Sequence, residues 1–398
     1  MATTAPTQSA TSPGVSPPSV PSADQAFSHV QTLAGVIGPR VVGTEGRDAA
    51  TNYLASQLES IGYRVERQPF TARFSEDRSS VTASFSQEPF RVLAFNRSRN
   101  GSAEAPLVDV GRAELAEIPS GGLSGQIALI ERGGLMFQEK VENVARAGAL
   151  AAIIFNNDEG LFGGTLRETS AIPSVLLSRT GGLTLRDAIN LRGNVTVRVV
   201  VEIADVERAG VNVIARPNQD PCAWLVGGHY DTVADAPGAS DNASGIAVTL
   251  EVARVMAPLA KDLDLCFVAF DADEEGLFGS AHFAEIMRPS ERDALRAFIN
   301  LDTVGVGTAW LAIGTPSLTR IMQAAGQANG VTIEVGDLPP NASSDHASFL
   351  QKGLPAVFLY RADDNLIHTP QDVIERVPPE TLEQAARLVI GFIQRAMA

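Results

Sequence analysis

Long apolar runs are absent from this sequence, and basic residues are scarce. Each apolar run is interrupted by glycine, proline or a charged residue before it reaches the roughly 20 residues that cross a bilayer. The chain has 31 basic against 46 acidic residues, which gives a formal net charge of -15 at pH 7. Such a balance repels phosphate backbones and anionic lipid. We therefore expect no membrane span and no nucleic-acid partner.

Cysteine is also rare, with two residues in the chain, Cys222 and Cys266. They lie at similar heights on two predicted strands, so their side chains could be neighbours. Two buried free thiols are the simpler interpretation. A disulfide would require Cα atoms within roughly 7 Å of each other, and the sequence leaves this question open.

The chain is long and has a large apolar fraction. With 398 residues, 44% of them hydrophobic, the chain can bury a large core and is long enough for two domains. Residues 1–23 are rich in Ser, Thr and Pro and lack the basic and apolar regions of a signal peptide. We expect this segment to be a disordered leader; the alternative is a chain start exposed by removal of a signal peptide.

Three stretches after this leader differ in pattern. Residues 24–76 contain an amphipathic helix that ends near Gly62 and an extended segment. Residues 77–203 consist of short β-rich runs, Gly-rich turns and one helix, which predicts a separate inserted domain. Residues 204–398 alternate strand, loop and helix. The expected fold class is α/β, with a central and mostly parallel sheet covered by helices on both faces.

Polar residues gather in the loops that follow the predicted strands. Ligands in such folds bind outside the carboxyl ends of the strands, so these loops are the expected site. Imidazole and carboxylate groups together suit a cation such as Zn²⁺. The residues at this edge are His229, Asp231, Asp241, Glu274, Glu275, Asp302 and His368.

Each of these residues alone has a simpler structural interpretation. A single Asp after a strand is more often a helix cap, and Asp241 would suit that role. Glu274 and Glu275 directly follow a buried apolar strand, however, where uncompensated charge is costly. The joint occurrence of these groups at one sheet edge favours a metal site. His29 and His282 have no such neighbours and keep the structural interpretation.

Six motifs resemble those of a known enzyme family. The segments HYD, GASDNASG, DADEEGLFGS, NLDTVG, SDHASF and IHTPQD, in this order, resemble the secreted bacterial leucyl aminopeptidases. These zinc enzymes share a family with glutamate carboxypeptidase II and the glutaminyl cyclases. The insert resembles a β-rich protease-associated domain, with Leu135 where many such domains carry a cysteine. The resemblance implies a three-layer, zinc exopeptidase-like sandwich formed by residues 24–76 and 204–398, with activity outside the cytoplasm.

The resemblance also implies roles for individual residues. Glu274 would be the general base, and Glu274 and Asp302 would hold the α-amino group of a peptide substrate. Asp231 is expected to accept a hydrogen bond from His229 and so fix its tautomer. The ligands of two zinc ions would be Asp241, shared by both, His229 and Asp302 at one ion, and Glu275 and His368 at the other.

Some neighbouring positions are weaker candidates. Some relatives have a tyrosine immediately before the closing histidine, whereas this sequence has Ile367, so Tyr360 is the candidate donor to the oxyanion. Asp345 and His346 are expected to support the site structurally.

Three functions fit these residues. The leading one is an aminopeptidase acting on peptides with a free amino terminus. A carboxypeptidase or dipeptidase would need a cation to bind a terminal carboxylate, and Arg361 is the only arginine close in sequence to the site motifs. A non-catalytic relative that binds peptides would need no intact metal set.

Overall fold

The computed structural model describes residues 20–338 and 342–397. The predicted disordered leader lies outside these residues except for its last four, and the first helix already begins at Ala23.

The strands of the described chain are numbered in sequence order. They are β1 Arg64–Asp77, β2 Ser80–Ala83, β3 Val92–Ala94, β4 Gly101–Asp109, β5 Ile127–Glu131, β6 Ala151–Phe155, β7 Ser174–Leu177, β8 Thr196–Val201, β9 Ile203–Arg216, β10 Trp224–His229, β11 Leu265–Phe270, β12 Ala297–Leu301, β13 Ala309–Gly314, β14 Ile333–Val335 and β15 Ala356–Ala362.

The α-helices are numbered in the same way. They are α1 Ala23–Val30, α2 Glu45–Ile61, α3 Phe137–Arg146, α4 Arg179–Arg192, α5 Gly245–Ala260, α6 Phe278–Ile286, α7 Pro289–Ala294, α8 Pro316–Ala328, α9 His346–Gln351 and α10 Pro379–Ala396.

Two compact units divide the described chain. One comprises the residues up to Ala72 and from Arg208 onward, and the other is Arg73–Glu207. The divisions fall within β1 and β9, close to the expected limits of the insert at 77 and 203.

The first unit is built on an eight-stranded sheet in the order β1-β9-β11-β10-β12-β15-β13-β14. Its four central strands, β11, β10, β12 and β15, are parallel to one another. Their carboxyl ends therefore lie at one edge of the sheet. The strand β10 is buried along its whole length, and Gly228 has no room for a side chain because a Cβ there would meet the Leu301 carbonyl of β12.

Helices cover both faces of this sheet. On one face the core includes residues of α1, α2, α5, α8 and α10, packed on Trp224 and Val226 of β10. On the other face, Leu225 packs with Phe283 of α6 and Phe349 of α9. This alternation along β10 is what a strand buried on both faces requires. The predicted α/β sandwich around a mostly parallel mixed sheet is confirmed.

Helix α5 is buried on nearly all sides. The stretch Ala239–Ala260 is the one described segment that is long and apolar enough to cross a membrane, but 78% of its most apolar window is buried inside the protein. The position of the helix against the sheet accounts for this apolar character.

The second unit has a seven-stranded sheet in the order β2-β8-β4-β5-β6-β7-β3. It contains two helices, α3 and α4, whereas the sequence predicted one. The sequence of α4 has two glycines in its first turn, which argue against a helix. Gly182 allows close packing, because a Cβ at that position would collide with the ring of Phe155.

The two cysteines are bonded to each other. Cys222 and Cys266 form a disulfide with their Cα atoms 5.7 Å apart, at the amino-terminal side of β10 and within β11. The interpretation as two free thiols is therefore wrong. The parallel pairing of β10 with β11 brings the two side chains together, and this pairing could not be read from the spacing of the residues.

Candidate metal centre

The central parallel strands deliver the polar residues to one edge. His229 is the last residue of β10, and Asp302 follows β12 directly. The turn after β11 carries Asp273 and Glu274, and the loop after β15 carries His368. Because β10 is parallel to both β11 and β12, these loops emerge side by side.

The side chains meet around the two oxygens of Asp241. The His229 Nε2 atom lies 3.2 Å from Asp241 Oδ1 and 3.3 Å from Asp302 Oδ1. The His368 Nε2 atom lies 2.9 Å from Asp241 Oδ2 and 3.1 Å from Glu274 Oε2. Asp241 thus presents one carboxylate oxygen to each imidazole.

Glu274, not Glu275, joins this cluster. The Glu274 side chain is 7% exposed, and its donor atoms lie within 4.8 Å of those of His229 and Asp241. The Glu275 side chain is 34% exposed and lies 4.0 Å from Arg208. Glu275, expected to be a metal ligand, therefore lies outside the cluster, and Glu274, expected to be the base, lies within it.

The local backbone explains why Glu274, and not Glu275, lies in the cluster. Side chains alternate between the two faces of β11, but the strand ends at Phe270, before Asp273 and the two glutamates. Ala272 has a positive φ, and the amide groups of Gly276 and Leu277 both donate to the Asp273 carbonyl. This tight turn places Asp273 and Glu274 in the cluster and turns Glu275 away from it.

Asp273 also lies in the cluster, although it is not among the site residues expected from the sequence. Its side chain is 10% exposed, and its Oδ2 atom lies 3.9 Å from His229 Nε2. Its Oδ1 atom is buried without a hydrogen-bond partner among the described residues. Burial raises the pKa of Asp273 well above its usual value. The only signal in the sequence was its place in DADEEG, where four acidic residues compete for the same roles.

Charge is tightly balanced in the cluster. Burial opposes ionisation of Asp241, but hydrogen bonds from the two histidines hold its pKa below the usual range. Burial raises the pKa of Glu274 to about 7, and the charge of Asp241 adds to this effect. Hydrogen bonds to Asp241 and Glu274 raise the pKa of His368 to about 10. A bound cation would replace the imidazole protons as the positive charge of the cluster.

The donor set fits a zinc ion. Imidazole nitrogen and carboxylate oxygen are both zinc ligands in proteins. Glu274 Oε1 is buried and has no hydrogen-bond partner within the described chain, so a further oxygen is available for a ligand. The residues that could hold metal are His229, Asp241, Glu274, Asp302 and His368.

Hydrogen bonds orient several of these groups. The amide groups of Asp273 and Glu274 donate to the two oxygens of Asp231, at 3.1 and 3.3 Å. Asp231 Oδ1 also lies 3.5 Å from His229 Nδ1, a distance too long for a good hydrogen bond. Asp231 therefore fixes the acidic turn, while its expected bond to His229 is at most weak.

Asp302 is oriented by a second set of residues. Ser344 Oγ donates to Asp302 Oδ2 at 2.7 Å, and Asn300 Nδ2 donates to Ser344 Oγ at 2.7 Å. In the motif SDHASF, Ser344 is thus the residue in direct contact with the cluster. Asp345 is fully buried nearby, and His346 stacks on Phe358 with ring centroids 4.8 Å apart.

A buried arginine supports the loop between His229 and Asp241. The Arg40 guanidinium is fully buried and donates to the carbonyls of Tyr230, Pro237 and Gly238 at 2.7 to 2.9 Å. Burial lowers the pKa of Arg40 to about 10, although nearby carboxylates oppose this effect. The sequence does not indicate this role for Arg40, because it lies 190 positions before Tyr230 in the loop that it holds.

The cluster forms the floor of a cleft with a volume of about 610 Å³. Apolar side chains of Leu277, Leu338, Phe358 and Ile367 contribute to its walls, and Tyr360 lines it as well. Arg361 also borders the cleft, but its Nη1 atom donates to Thr381 Oγ1 at 3.1 Å. The lining therefore combines apolar side chains with the acidic cluster and with further acidic and polar residues, among them Asp363 and Asp364.

Comparison with known proteins identifies the family. The sequence is 30% identical over 399 residues to aminopeptidase YwaD of Bacillus subtilis, covering 94% of this chain and 85% of that protein. The model of peptidase family M28 matches residues 212–393. This chain belongs to peptidase family M28. The model of the PA domain matches residues 103–185 of this M28 peptidase, within the second unit.

Two solved structures support the assignment. A zinc aminopeptidase from Bacillus subtilis, BSAP, superposes with a TM-score of 0.76 at 27% identity, covering 94% of this chain and 95% of that chain. An aminopeptidase from Aneurinibacillus sp. strain AM-1 gives a TM-score of 0.66 at 31% identity, covering 94% and 93%. The predictions of the family, of its fold and of a metallo-aminopeptidase are confirmed.

Proposed function

We propose that this M28 peptidase removes amino-terminal residues from peptides, using zinc bound at the cluster around Asp241. The observation that carries the proposal is the placement of one imidazole against each oxygen of Asp241. This arrangement suits a carboxylate shared between two ions. His229 and Asp302 would then belong to one zinc ion, and Glu274 and His368 to the other.

Zinc supplies the acidity of a bound water and the polarisation of the scissile carbonyl. The protein must supply a base that accepts a proton from the water. We assign this role to Asp273, because its carboxylate is buried in the cluster and one oxygen has no partner among the described residues.

Proton transfer by Asp273 balances the reaction. As the water oxygen bonds to the carbonyl carbon, one water proton moves to the Asp273 carboxylate. When the C–N bond breaks, Asp273 returns that proton to the leaving amine. This residue therefore acts first as a base and then as an acid.

The acidic floor of the cleft explains the preference for a free amino terminus. A protonated α-amino group would pair with the carboxylates of Glu274 and Asp302, which lie at the cleft base. Tyr360 lines the same cleft and is our candidate donor to the oxyanion. The Arg361 guanidinium is bound to Thr381 and lies 5.2 Å from the Trp310 ring, which does not favour binding of a substrate carboxylate.

We also propose that the enzyme acts outside the cytoplasm. Disulfides persist mainly in oxidising compartments, and Cys222 is bonded to Cys266. A relative from Mycobacterium tuberculosis, 27% identical over 71% of this chain, is a probable lipoprotein aminopeptidase.

A pair of substrates tests the proposed activity. Leucine p-nitroanilide has a free amino group, and N-acetyl-leucine p-nitroanilide does not. We expect hydrolysis of the first substrate only, with loss of activity on chelation and recovery on adding zinc, saturating at two ions per chain. Equal hydrolysis of both substrates would contradict the aminopeptidase proposal, and full recovery at one ion per chain would contradict the two-ion proposal.

A further inference from the structure

Three consecutive amide groups before α5 all donate to one residue. The amide of Ala239 donates to the Asp372 carbonyl at 3.3 Å. The amides of Ser240 and Asp241 donate to Asp372 Oδ1 and Oδ2 at 2.8 and 3.0 Å. Asp372 is fully buried, so water does not compete for these bonds.

The location of Asp372 connects two parts of the metal cluster. It lies four residues after His368, on the loop that follows β15. His368 Nε2 contacts Asp241 Oδ2 at 2.9 Å, and Asp372 binds the backbone amide of the same aspartate. One loop thus supplies a candidate ligand and also holds the backbone of another.

Arg40 binds carbonyl groups at the start of the same segment. This guanidinium donates to the carbonyls of Pro237 and Gly238, just before the amides that Asp372 accepts. A cation therefore holds the carbonyl groups and an anion holds the amide groups of one short segment. Neither bond involves the Asp241 carboxylate, which stays available for metal.

We propose that Asp372 is a positioning residue that sets zinc affinity by fixing the backbone of Asp241. This inference rests on the proposed function, in which Asp241 is shared by two zinc ions. The role requires two acceptor oxygens. An asparagine at position 372 could accept only one of the two amide hydrogens, and its own NH₂ group would face the other.

The test compares Asp372→Asn with Asp364→Asn. Asp364 lies on the same loop and is 2% exposed, and its carboxylate bonds to Arg376 at 2.6 Å. Arg376 also lies 3.9 Å from Asp372 Oδ1, so this control removes a charge near Asp372 while leaving both acceptors of the Ser240 and Asp241 amides in place. Two quantities are measured for each variant: hydrogen exchange of a peptide spanning residues 239–242 in metal-free protein, and zinc affinity by competition with a chelator. We expect Asp372→Asn to exchange faster and to bind zinc about 10- to 100-fold more weakly, as for other residues that orient metal ligands. Asp364→Asn should match wild type in both.

Asp372→Glu provides a second variant in case the asparagine variant does not fold. It keeps both acceptor oxygens, so the amides should stay protected and zinc affinity should stay close to that of wild type. Wild-type zinc affinity in Asp372→Asn would overturn the inference, and so would either variant in which zinc affinity changes without a matching change in amide protection. Failure of the wild-type protein to bind zinc would instead overturn the proposed function, and the exchange measurement would still show whether Asp372 holds the segment.

Discussion

Asp273 and Glu274 are neighbours in one turn but have different surroundings. Glu274 lies against His368 and Asp241, where a ligand is needed, while Asp273 lies beside His229 with one oxygen unpaired within the described chain. The two residues are held by the same acceptor, since both of their amides donate to Asp231. The proposed roles of Asp273 as base and Glu274 as ligand follow from this turn.

Substitution of Asp273 by Asn tests the base role. An amide cannot accept the proton from water, so we expect kcat to fall by roughly 10² to 10⁴. Zinc content should stay at the wild-type level because the proposed ligands are intact. Steady-state kinetics and metal analysis of the same preparation check both points. Loss of zinc together with activity would mean that Asp273 is a ligand instead.

The site residues differ in how far sequence could locate them. His229, Asp302 and His368 follow strands with clear apolar patterns, so their place at the sheet edge could be predicted. The roles of Arg40 and Asp372 could not be predicted, because both residues bind backbone groups that are distant in sequence. Every residue has such groups, so the sequence does not show which ones are bound. Glu274, and not Glu275, enters the cluster because of a turn in which Ala272 has a positive φ. An alanine in a sequence does not indicate such a conformation.

Secondary structure elements were predicted where the pattern was strong. The apolar runs at 127–130, 151–155 and 174–177 predict short strands, and β5, β6 and β7 appear there. The stretch 243–257 predicts a helix, and α5 covers most of it. Helix α4 was not predicted because glycine in its first turn has a low helix propensity. The glycine is needed there because it allows close packing on Phe155. Close packing of this kind depends on residues that are distant in the sequence, so the local pattern does not indicate it.

Helix α1 carries a histidine that should make stability depend on pH. Burial lowers the pKa of His29 to about 4, and its Nδ1 atom lies 2.6 Å from the Tyr53 hydroxyl. The unfolded chain therefore binds a proton near pH 6.5 while the folded protein stays neutral there. The stability from this difference is complete above pH 6.5 and is lost as the pH falls from 6.5 towards 4.

His29→Gln tests this dependence, since glutamine does not titrate. In metal-free protein, the loss of unfolding free energy between pH 7 and pH 5 should be smaller in the variant than in wild type. Urea unfolding at the two pH values gives the comparison. Parallel losses in the two proteins would show that His29 does not contribute.

The disulfide joins the segment just before β10 to β11, and both strands end at the metal cluster. It closes a loop between residues separated by 44 positions, which restricts the unfolded chain. Replacing Cys222 and Cys266 together by Ala should lower the free energy of unfolding by about 2 to 4 kcal/mol. Chemical denaturation measures the effect, with reduced wild-type protein as the control. Equal stability of the double variant and the oxidised wild type would contradict this estimate.

At the scale of the whole molecule, the eight-stranded sheet determines where chemistry can occur. Its parallel centre brings the ends of β10, β11, β12 and β15 to one edge, and the cleft is found there. A sequence that alternates strands and helices is enough to predict this edge. The disulfide, the buried arginine and the choice among adjacent carboxylates require the folded chain, because each depends on contacts between distant segments.

Zinc analysis of two neighbouring variants tests the central claim most directly. In Glu274→Gln a proposed ligand becomes a neutral amide, which binds Zn²⁺ poorly, so this protein should lose zinc at one site and recover some activity in excess zinc. Glu275→Gln should keep the wild-type zinc content and hydrolyse leucine p-nitroanilide at the wild-type rate, because Glu275 lies outside the cluster beside Arg208. Full zinc in Glu274→Gln with zinc loss in Glu275→Gln would contradict this assignment of the metal site.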